Sequence, residues 1–282
     1  MVLERIDLYQ YFGKKRREGL MGYLNVYAPK GCCVIEKPRK KPSILILAGG
    51  AYAHVSKREQ EPVAFKFIAE GFCAFTLDYT CVPNAYYPTQ LLEACMALAY
   101  IKENADKYEL KEDKTVVAGF SAGGHLTAML HCLYNEQVVL DYLGEKAKYC
   151  RPDAVILGYP VIYYKKDDPS HSVESLANGE EKVGEYLCMQ KRVHKKVCPA
   201  FIFTTFSDIS VPMEHSLKYA TALRKNKIPF EMMVFEKGQH GLSVANELCG
   251  YKPSLIKPRV ATWADQAINW LKERDFKIDV IS

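Results

Sequence analysis

Short apolar runs alternate along the chain with segments in which apolar residues recur every three or four positions. Continuously apolar runs, such as 43–48 and 153–160, are typical of strands buried on both faces of a parallel sheet. The spaced segments, such as 62–69 and 88–101, predict amphipathic helices. The pattern also predicts strands at 20–28, 72–79, 115–118, 199–205 and 229–236, and helices at 126–133, 213–227 and 260–271. This alternation predicts an α/β fold with a mostly parallel sheet built from right-handed βαβ units.

The first predicted strand, 20–28, alternates between polar and apolar positions and stops at Pro29. Alternation with period two is typical of a strand that is buried on one face only. We therefore expect this segment to be an edge strand.

Residues 161–197 interrupt the alternation of strands and helices. They are polar, they include Tyr163-Tyr164 and Asp167-Asp168-Pro169, and they contain no clear strand. Long connections of this kind are often binding loops or covers over a site, although a surface excursion without a role is the alternative. We expect one domain over residues 1–282 with a cap- or lid-like insertion at about 161–197.

The run Thr115–Ala118 leads at once into Gly119-Phe120-Ser121-Ala122-Gly123, and a helical pattern follows. A strand, a sharp turn and a helix place Ser121 at the apex of the turn. Such a turn needs strained backbone angles and close neighbouring backbone, which glycine two residues to either side permits. A tight turn with a capping serine is the alternative, but the strand–turn–helix context favours a nucleophile.

Composition and charge argue against a nucleic-acid-binding protein and against a membrane protein. The chain has 282 residues, of which 49% are hydrophobic and 25% charged, as in ordinary soluble globular proteins. Its net charge of +5 comes from short, scattered basic runs, so we expect no nucleic-acid partner. No signal peptide or membrane-length apolar stretch is visible, and the ten cysteines include no Cys-x-x-Cys. These features predict a cytoplasmic protein with reduced thiols and no membrane partner.

Two further polar residues, Asp208 and His240, follow predicted strands at their carboxyl ends, as Ser121 does. In an open α/β sheet the loops at these ends meet along one edge. A serine hydroxyl needs a base to take its proton, and imidazole can act as base and then as acid near neutral pH. A carboxylate on the far ring nitrogen fixes the tautomer. We therefore predict Ser121 as nucleophile, His240 as general base and Asp208 as the orienting acid.

Other histidines and acids were weighed for the same roles. His125 lies inside the helix after Ser121 and should point away from the turn, whereas His54 lies close behind the 49–52 turn and is expected to support the site rather than act as base. Asp167, Asp168 and Glu236 lack strand-end placement or precede the histidine loop. The chain has no His-Glu-x-x-His and no paired Cys/His spacing, so neither a metal nor another cofactor is expected.

The strand predicted at 43–48 ends in Gly49-Gly50-Ala51-Tyr52. Backbone N–H groups approach a substrate oxygen only where side chains are small. This turn is therefore a candidate oxyanion hole, with an ordinary βα turn as an equal alternative.

Several motifs together point to a known family. The chain carries Gly-Phe-Ser-Ala-Gly-Gly-His at 119–125, Ser-Lys-Arg-Glu at 56–59, Gly-Tyr-Pro-Val-Ile at 158–162, Ser-Asp-Ile-Ser-Val-Pro at 207–212 and Gly-Gln-His-Gly at 238–241. With the 49–52 turn, these motifs resemble the α/β-hydrolase esterases, particularly the bacterial acetyl-xylan and feruloyl-type branch, over roughly residues 20–272. Two positions depart from the family pattern, since Ala51 replaces a third glycine and Ser207 replaces the first of two aspartates.

The resemblance implies an α/β-hydrolase fold with helices on both faces of the sheet. It also implies that the N–H groups of Gly50, Ala51 and Ala122 form the oxyanion hole. The expected reaction is hydrolysis of short-chain acyl esters, chiefly acetyl esters, through an acyl-serine intermediate and without a cofactor. Sugars and xylo-oligosaccharides that carry acetyl groups are candidate substrates.

Three tyrosines are candidate substrate contacts, namely Tyr52, Tyr163 and Tyr164, because a tyrosine offers a flat apolar face and a hydroxyl to a sugar ring.

Two other functions stay open at this point. One is a serine peptidase or amidase on the same fold, and the other is a non-catalytic binding protein of hydrolase descent.

Overall fold

The computed structural model describes residues 2–29, 39–166 and 169–279. Within these ranges the strands are β1 (Val2–Asp7), β2 (Tyr23–Ala28), β3 (Lys41–Leu47), β4 (Cys73–Asp78), β5 (Leu110–Phe120), β6 (Ala154–Gly158), β7 (Ala200–Thr205) and β8 (Phe230–Phe235). They form one sheet in the order β1-β2-β4-β3-β5-β6-β7-β8. β2 pairs antiparallel with β1 and β4, and every other neighbouring pair is parallel. The predicted α/β fold with a mostly parallel sheet is confirmed.

Helices pack on both faces of this sheet. They are α1 (Leu8–Tyr11), α2 (Glu61–Ala69), α3 (Thr89–Glu103), α4 (Ala122–Leu133), α5 (Gln137–Leu143), α6 (Ser172–Leu176), α7 (Glu181–Tyr186), α8 (Glu214–Lys225) and α9 (Pro258–Lys272). Alternate residues of β3 belong to two separate cores, because successive side chains of a strand point to opposite faces. Leu45 and Leu47 pack in the core that includes α3, α4 and α8, whereas Ile44 and Ile46 pack in the core that includes α2 and α9.

The prediction of an edge strand at 20–28 was wrong. β2 lies between β1 and β4, and its register pairs Leu24 with Ile6 on one side and with Leu77 on the other. The true edge, β1, carries Glu4, Arg5 and Asp7 and shows little apolar periodicity. Charged residues are common on edge strands because they discourage pairing with other chains, which explains why the apolar pattern did not predict this strand.

The insertion at 161–197 contains α6, α7 and no strand in its described part. It is anchored to the core by buried Leu176, Leu187 and Met189. The N–H of Met189 donates to the carbonyl of Ile162 at 2.8 Å, so the end of the insertion returns to its start. The buried side chains and this hydrogen bond therefore hold the two ends of the insertion against the core.

No helix in the described ranges combines the length and the apolar character that crossing a bilayer requires. The eight cysteines of these ranges all carry free thiols, and seven of them are buried. Burial raises the pKa of Cys73, Cys132 and Cys81, so these thiols stay protonated near neutral pH.

Two histidines of α4 make stability depend on pH. His125 and His131 are fully buried, and burial lowers the pKa of each imidazole to about 4. A histidine of the unfolded chain titrates near 6.5, so between these values only the unfolded state takes up the proton. The free energy of unfolding should therefore fall from pH 7 to pH 5, by about 2 kcal/mol for each histidine. Urea unfolding at the two pH values measures this loss.

Two variants isolate the effect. His131→Gln should reduce the loss between pH 7 and pH 5 by about half, because one of the two buried imidazoles is gone. His171→Asn should leave the loss unchanged, since the His171 side chain is 64% exposed. A pH dependence in His131→Gln equal to that of the wild type would contradict this assignment.

Candidate active site

Ser121 lies at the turn between β5 and α4, as predicted. Its backbone has φ +53° and ψ −122°, a strained conformation for a residue with a side chain. A Cβ on Gly119 would collide with the carbonyl of Gly123, and a Cβ on Gly123 would collide with the carbonyl of Leu47. Both flanking glycines are therefore required by close backbone packing, which confirms the predicted strand–turn–helix geometry.

The structure brings Ser121, His240 and Asp208 together. The Nε2 atom of His240 lies 2.7 Å from Oγ of Ser121, and its Nδ1 lies 2.7 Å from Oδ2 of Asp208. Because an ionised carboxylate only accepts, Nδ1–H donates to Asp208 and Nε2 is left to accept from the serine hydroxyl. The Asp208 side chain is 1% exposed and that of His240 is 22% exposed. The buried Asp208 carboxylate therefore fixes the imidazole at Nδ1, while the Nε2 edge that faces Ser121 borders a cavity.

Backbone groups fix the orientation of the Asp208 carboxylate. Its Oδ1 accepts hydrogen bonds from the N–H groups of Ser210 and Val211, each at 3.0 Å. These two bonds reserve Oδ1, so Oδ2 is the oxygen that faces the imidazole. The loop after β7 therefore presents one defined carboxylate oxygen to His240.

The other acids and histidines weighed from the sequence lie elsewhere. Glu236 is exposed, and its Oε1 lies 3.8 Å from Nζ of Lys237. Asp167 and Asp168 lie outside the described residues. His125 is buried, with its ring nitrogens 2.9 Å from the Tyr52 hydroxyl and 2.9 Å from the carbonyl of Leu187. This confirms that His125 points away from the turn.

A cavity of about 290 Å³ opens beside Ser121 and His240. The turn after β3 contributes Gly50 and Ala51 to its wall, and His54 lines it from behind this turn. The insertion contributes Pro169, Ser170 and Ser172 to the wall, and its role as a cover stays a prediction.

The three N–H groups expected to form an oxyanion hole are available for a ligand. Gly50 and Ala51 line the cavity together with Ser121 and adopt positive φ values of +125° and +53°. Within the described part of the chain, the N–H groups of Gly50, Ala51 and Ala122 donate no hydrogen bond. The N–H of Ala122 also begins α4, whose positive end favours a negative charge at this point.

The three candidate tyrosines do not line this cavity. Tyr52 is fully buried because its side chain turns inward, where its ring packs edge-on to Tyr79. Tyr163 stacks on His215 with 3.9 Å between ring centroids, and Tyr164 packs against Gly184. The structure therefore places the ring of Tyr52 in the core and the rings of Tyr163 and Tyr164 beside α8 and α7.

Sequence reasoning missed two residues next to the site. Oε2 of Glu59 accepts from the N–H of Gly49 at 2.7 Å, and Oε1 accepts from the Tyr159 hydroxyl at 2.8 Å. Burial, with the negative charge of Glu59 beside it, holds the pKa of Tyr159 well above its usual range, so the phenol stays a donor. The only signal for either residue was its place in the motifs at 56–59 and 158–162.

Ser207, which departs from the family's paired aspartates, links the acid loop to the histidine loop. Its Oγ accepts from the N–H of Gly238 at 2.9 Å and donates to the carbonyl of Gly238 at 3.0 Å. Thr205 donates to the same carbonyl at 2.7 Å. No group of three or more His, Cys, Asp or Glu residues in the described ranges is arranged to hold a metal ion.

Comparison with known proteins places this geometry in a family. The profile of the BD-FAE family matches residues 24–223. Endo-1,4-beta-xylanase B of Butyrivibrio fibrisolvens is 37% identical over 214 residues, which are 74% of this chain and 33% of that protein. The chain thus spans about a third of the length of this relative.

Two solved structures share the fold over nearly the whole chain. An acetyl ester-xyloside bifunctional hydrolase from Caldicellulosiruptor lactoaceticus is 29% identical, with a TM-score of 0.76 over 90% of this chain and 89% of that one. A carboxylesterase from Lactobacillus plantarum, 24% identical, has a TM-score of 0.84 over 99% of this chain and 100% of that one. Since the family profile covers more than half of the sequence, the chain belongs to the BD-FAE family of α/β hydrolases.

Proposed function

We propose that the protein is a serine carboxylesterase that hydrolyses short-chain acyl esters, chiefly acetyl esters, through an acyl-serine intermediate. The observation that carries this proposal is the placement of one imidazole. His240 lies 2.7 Å from both Ser121 Oγ and Asp208 Oδ2, at the wall of an open cavity. This arrangement supplies the nucleophile, the base and the orienting acid of acyl transfer.

In the acylation half, Nε2 of His240 takes the proton of the Ser121 hydroxyl as Oγ bonds to the ester carbonyl carbon. The electron pair of the carbonyl moves to its oxygen, which faces the N–H groups of Gly50, Ala51 and Ala122. When this pair returns, the bond to the alcohol oxygen breaks and the imidazolium gives its proton to the leaving alcohol. Asp208 stays ionised and stabilises the imidazolium.

In the deacylation half, a water molecule repeats the path of the serine. His240 takes a proton from the water as its oxygen bonds to the acyl carbon. The bond from that carbon to Oγ of Ser121 then breaks, and the imidazolium returns its proton to the serine. All protons move among Ser121, His240, water and substrate, so the cycle balances without a cofactor.

The cavity wall supports a small acyl group and a polar alcohol. A volume of about 290 Å³ lies at the lower end of the range for ligand pockets. Four serines, Ser56, Ser170, Ser172 and Ser210, line the cavity in addition to Ser121. Hydroxyls suit a polyhydroxylated alcohol, which fits the acetyl ester-xyloside hydrolase among the structural relatives. We propose acetylated sugars and xylo-oligosaccharides as the substrate class.

The preference for short acyl groups is tested with nitrophenyl esters of two to eight carbons. We expect kcat/KM to fall as the acyl chain lengthens, because a cavity of about 290 Å³ has little room for a long chain. A chain forced out into water would also gain none of the roughly 0.8 kcal/mol per buried methylene. Acetylated xylo-oligosaccharides in the same series should release acetate, and peptide anilides should not react.

Two results would contradict the proposed function. A kcat/KM that climbs steadily with chain length would indicate a lipid-type pocket and contradict the deacetylase proposal. Faster cleavage of the anilides than of any ester would favour the peptidase or amidase reading.

A further inference from the structure

A buried carboxylate beside the candidate active site forms no ion pair within the described part of the chain. Glu59 is 4% exposed, lines the cavity and forms no ion pair with any residue in the described ranges. Burying an unpaired carboxylate costs free energy unless strong hydrogen bonds compensate for it. Here the compensating hydrogen bonds come from the N–H of Gly49 and the hydroxyl of Tyr159. Gly49 begins the turn at 49–51 (the oxyanion turn), and Tyr159 contacts the loop at 238–243 (the histidine loop).

The first contact reaches the oxyanion turn. Oε2 of Glu59 accepts from the N–H of Gly49 at 2.7 Å, one residue before Gly50. A Cβ built on Gly49 would lie 2.8 Å from this oxygen and 2.8 Å from Cβ of Ser121. The carboxylate, the turn and the nucleophile residue are therefore packed in direct contact.

The second contact reaches the histidine loop through Tyr159. The Tyr159 hydroxyl donates to Oε1 of Glu59 at 2.8 Å and accepts from the N–H of Ser243 at 2.8 Å. The same ring packs against the imidazole of His240, with 5.1 Å between centroids and 73° between planes. Tyr159 adopts φ +37° to reach this position, a strained backbone for a bulky residue.

Arg58, the residue before Glu59, also hydrogen-bonds to the 238–243 loop. Nη2 of Arg58 donates to the carbonyl of Gly241 at 2.8 Å, and Oγ of Ser243 donates to the carbonyl of Arg58 at 2.6 Å. The short segment at 57–59 thus contacts the loop on both sides of Leu242. These bonds fix where the Glu59 carboxylate stands relative to His240.

We propose that Glu59 and Tyr159 are positioning residues that hold the 49–51 turn and the 238–243 loop in mutual register for acyl transfer. The inference rests on the proposed esterase function and deepens it. Oxyanion donors act only if they are placed before charge develops, and small displacements of reacting groups lower rates steeply. The Glu59 carboxylate accepts directly from Gly49 and is linked to Ser243 of the loop through the Tyr159 hydroxyl. This chain meets the need, because hydrogen bonds to a carboxylate are stronger than neutral ones.

The test compares Glu59→Gln, Tyr159→Phe and the double variant with the wild type. Each single change should lower kcat for nitrophenyl acetate by about tenfold to a hundredfold, with KM within about twofold. The double variant should lose no more kcat than the more damaging of the two single variants, because both changes break one connection. The rate of Ser121 labelling by a fluorophosphonate should fall in step with kcat, since that reaction needs the same donors.

Glu93→Gln is the matched control. Glu93 is also buried and accepts from a backbone N–H, that of Thr80 at 2.6 Å, and from a tyrosine hydroxyl, that of Tyr9 at 2.8 Å. It does not line the cavity. We expect this variant to lower Tm and to keep kcat within about twofold of the wild type.

Three outcomes separate the inference from the proposed function. Wild-type kcat and labelling rate in Tyr159→Phe, with only a lower Tm, would mean that the network merely packs, and the inference fails. If Glu59→Gln does not fold, Tyr159→Phe still decides, because it removes one oxygen and keeps the ring. A wild-type protein that neither cleaves esters nor labels at Ser121 would refute the proposed function itself.

Discussion

Replacing Ser121 with alanine is expected to lower kcat for nitrophenyl acetate by about a million-fold, as when the nucleophile of a triad is removed. The fold should persist, because the hydroxyl has one partner, Nε2 of His240, and alanine keeps the Cβ that the strained turn already accommodates. The measurement is kcat from initial rates at high enzyme concentration, with the melting temperature as a check on the fold.

Ser56→Ala is the control for this prediction, since Ser56 lines the same cavity and makes no contact with His240 or Asp208. It should keep kcat within about tenfold of the wild type. Turnover by Ser121→Ala within tenfold of the wild type would end the assignment of Ser121 as nucleophile.

Replacing Asp208 with asparagine is expected to lower kcat by about ten-thousand-fold. The N–H groups of Ser210 and Val211 both donate to Oδ1, so an asparagine would keep its oxygen on that side. Its amide nitrogen would then face Nδ1 of His240 and donate to it. This favours the tautomer in which Nε2 carries the proton and cannot accept one from Ser121.

Glu236→Gln is the matched control, because Glu236 is the described carboxylate that competed with Asp208 in the sequence. It follows β8 on the surface, 3.8 Å from Lys237, and its loss should change kcat by less than twofold. If Glu236→Gln lowered kcat more than Asp208→Asn did, the acid would be misassigned.

Local signals predicted most of the site. The glycines around Ser121 are required by contacts within the same turn and with the neighbouring strand β3. Their spacing, together with the apolar run before them and the helical pattern after them, therefore indicated the geometry. Asp208 and His240 follow parallel strands, and the direction of such strands brings the loops at their ends together. The predicted meeting of these residues therefore depended on sheet topology, which the apolar pattern indicates well.

Features set by contacts between distant segments escaped prediction. Tyr52 ends the 49–52 turn, but its φ of +60° turns the side chain into the core toward His125, which lies 73 positions later in the chain. Glu59 and Tyr159 are 100 positions apart. β1 carries charges in place of an apolar pattern, so its pairing with β2 is visible only in the folded sheet. The apolar periodicity of a helix or strand indicates which of its faces is buried. It does not indicate which side chains of distant segments that face contacts.

The central claim is that Ser121 forms a covalent intermediate when His240 takes its proton. The most direct measurement is peptide mapping by mass spectrometry after reaction with a fluorophosphonate. We expect one adduct per chain, on the peptide that contains Ser121, with no adduct in Ser121→Ala and slow labelling in Asp208→Asn. Full esterase activity in a protein that carries no adduct at Ser121, or labelling at another residue that abolishes turnover, would contradict it.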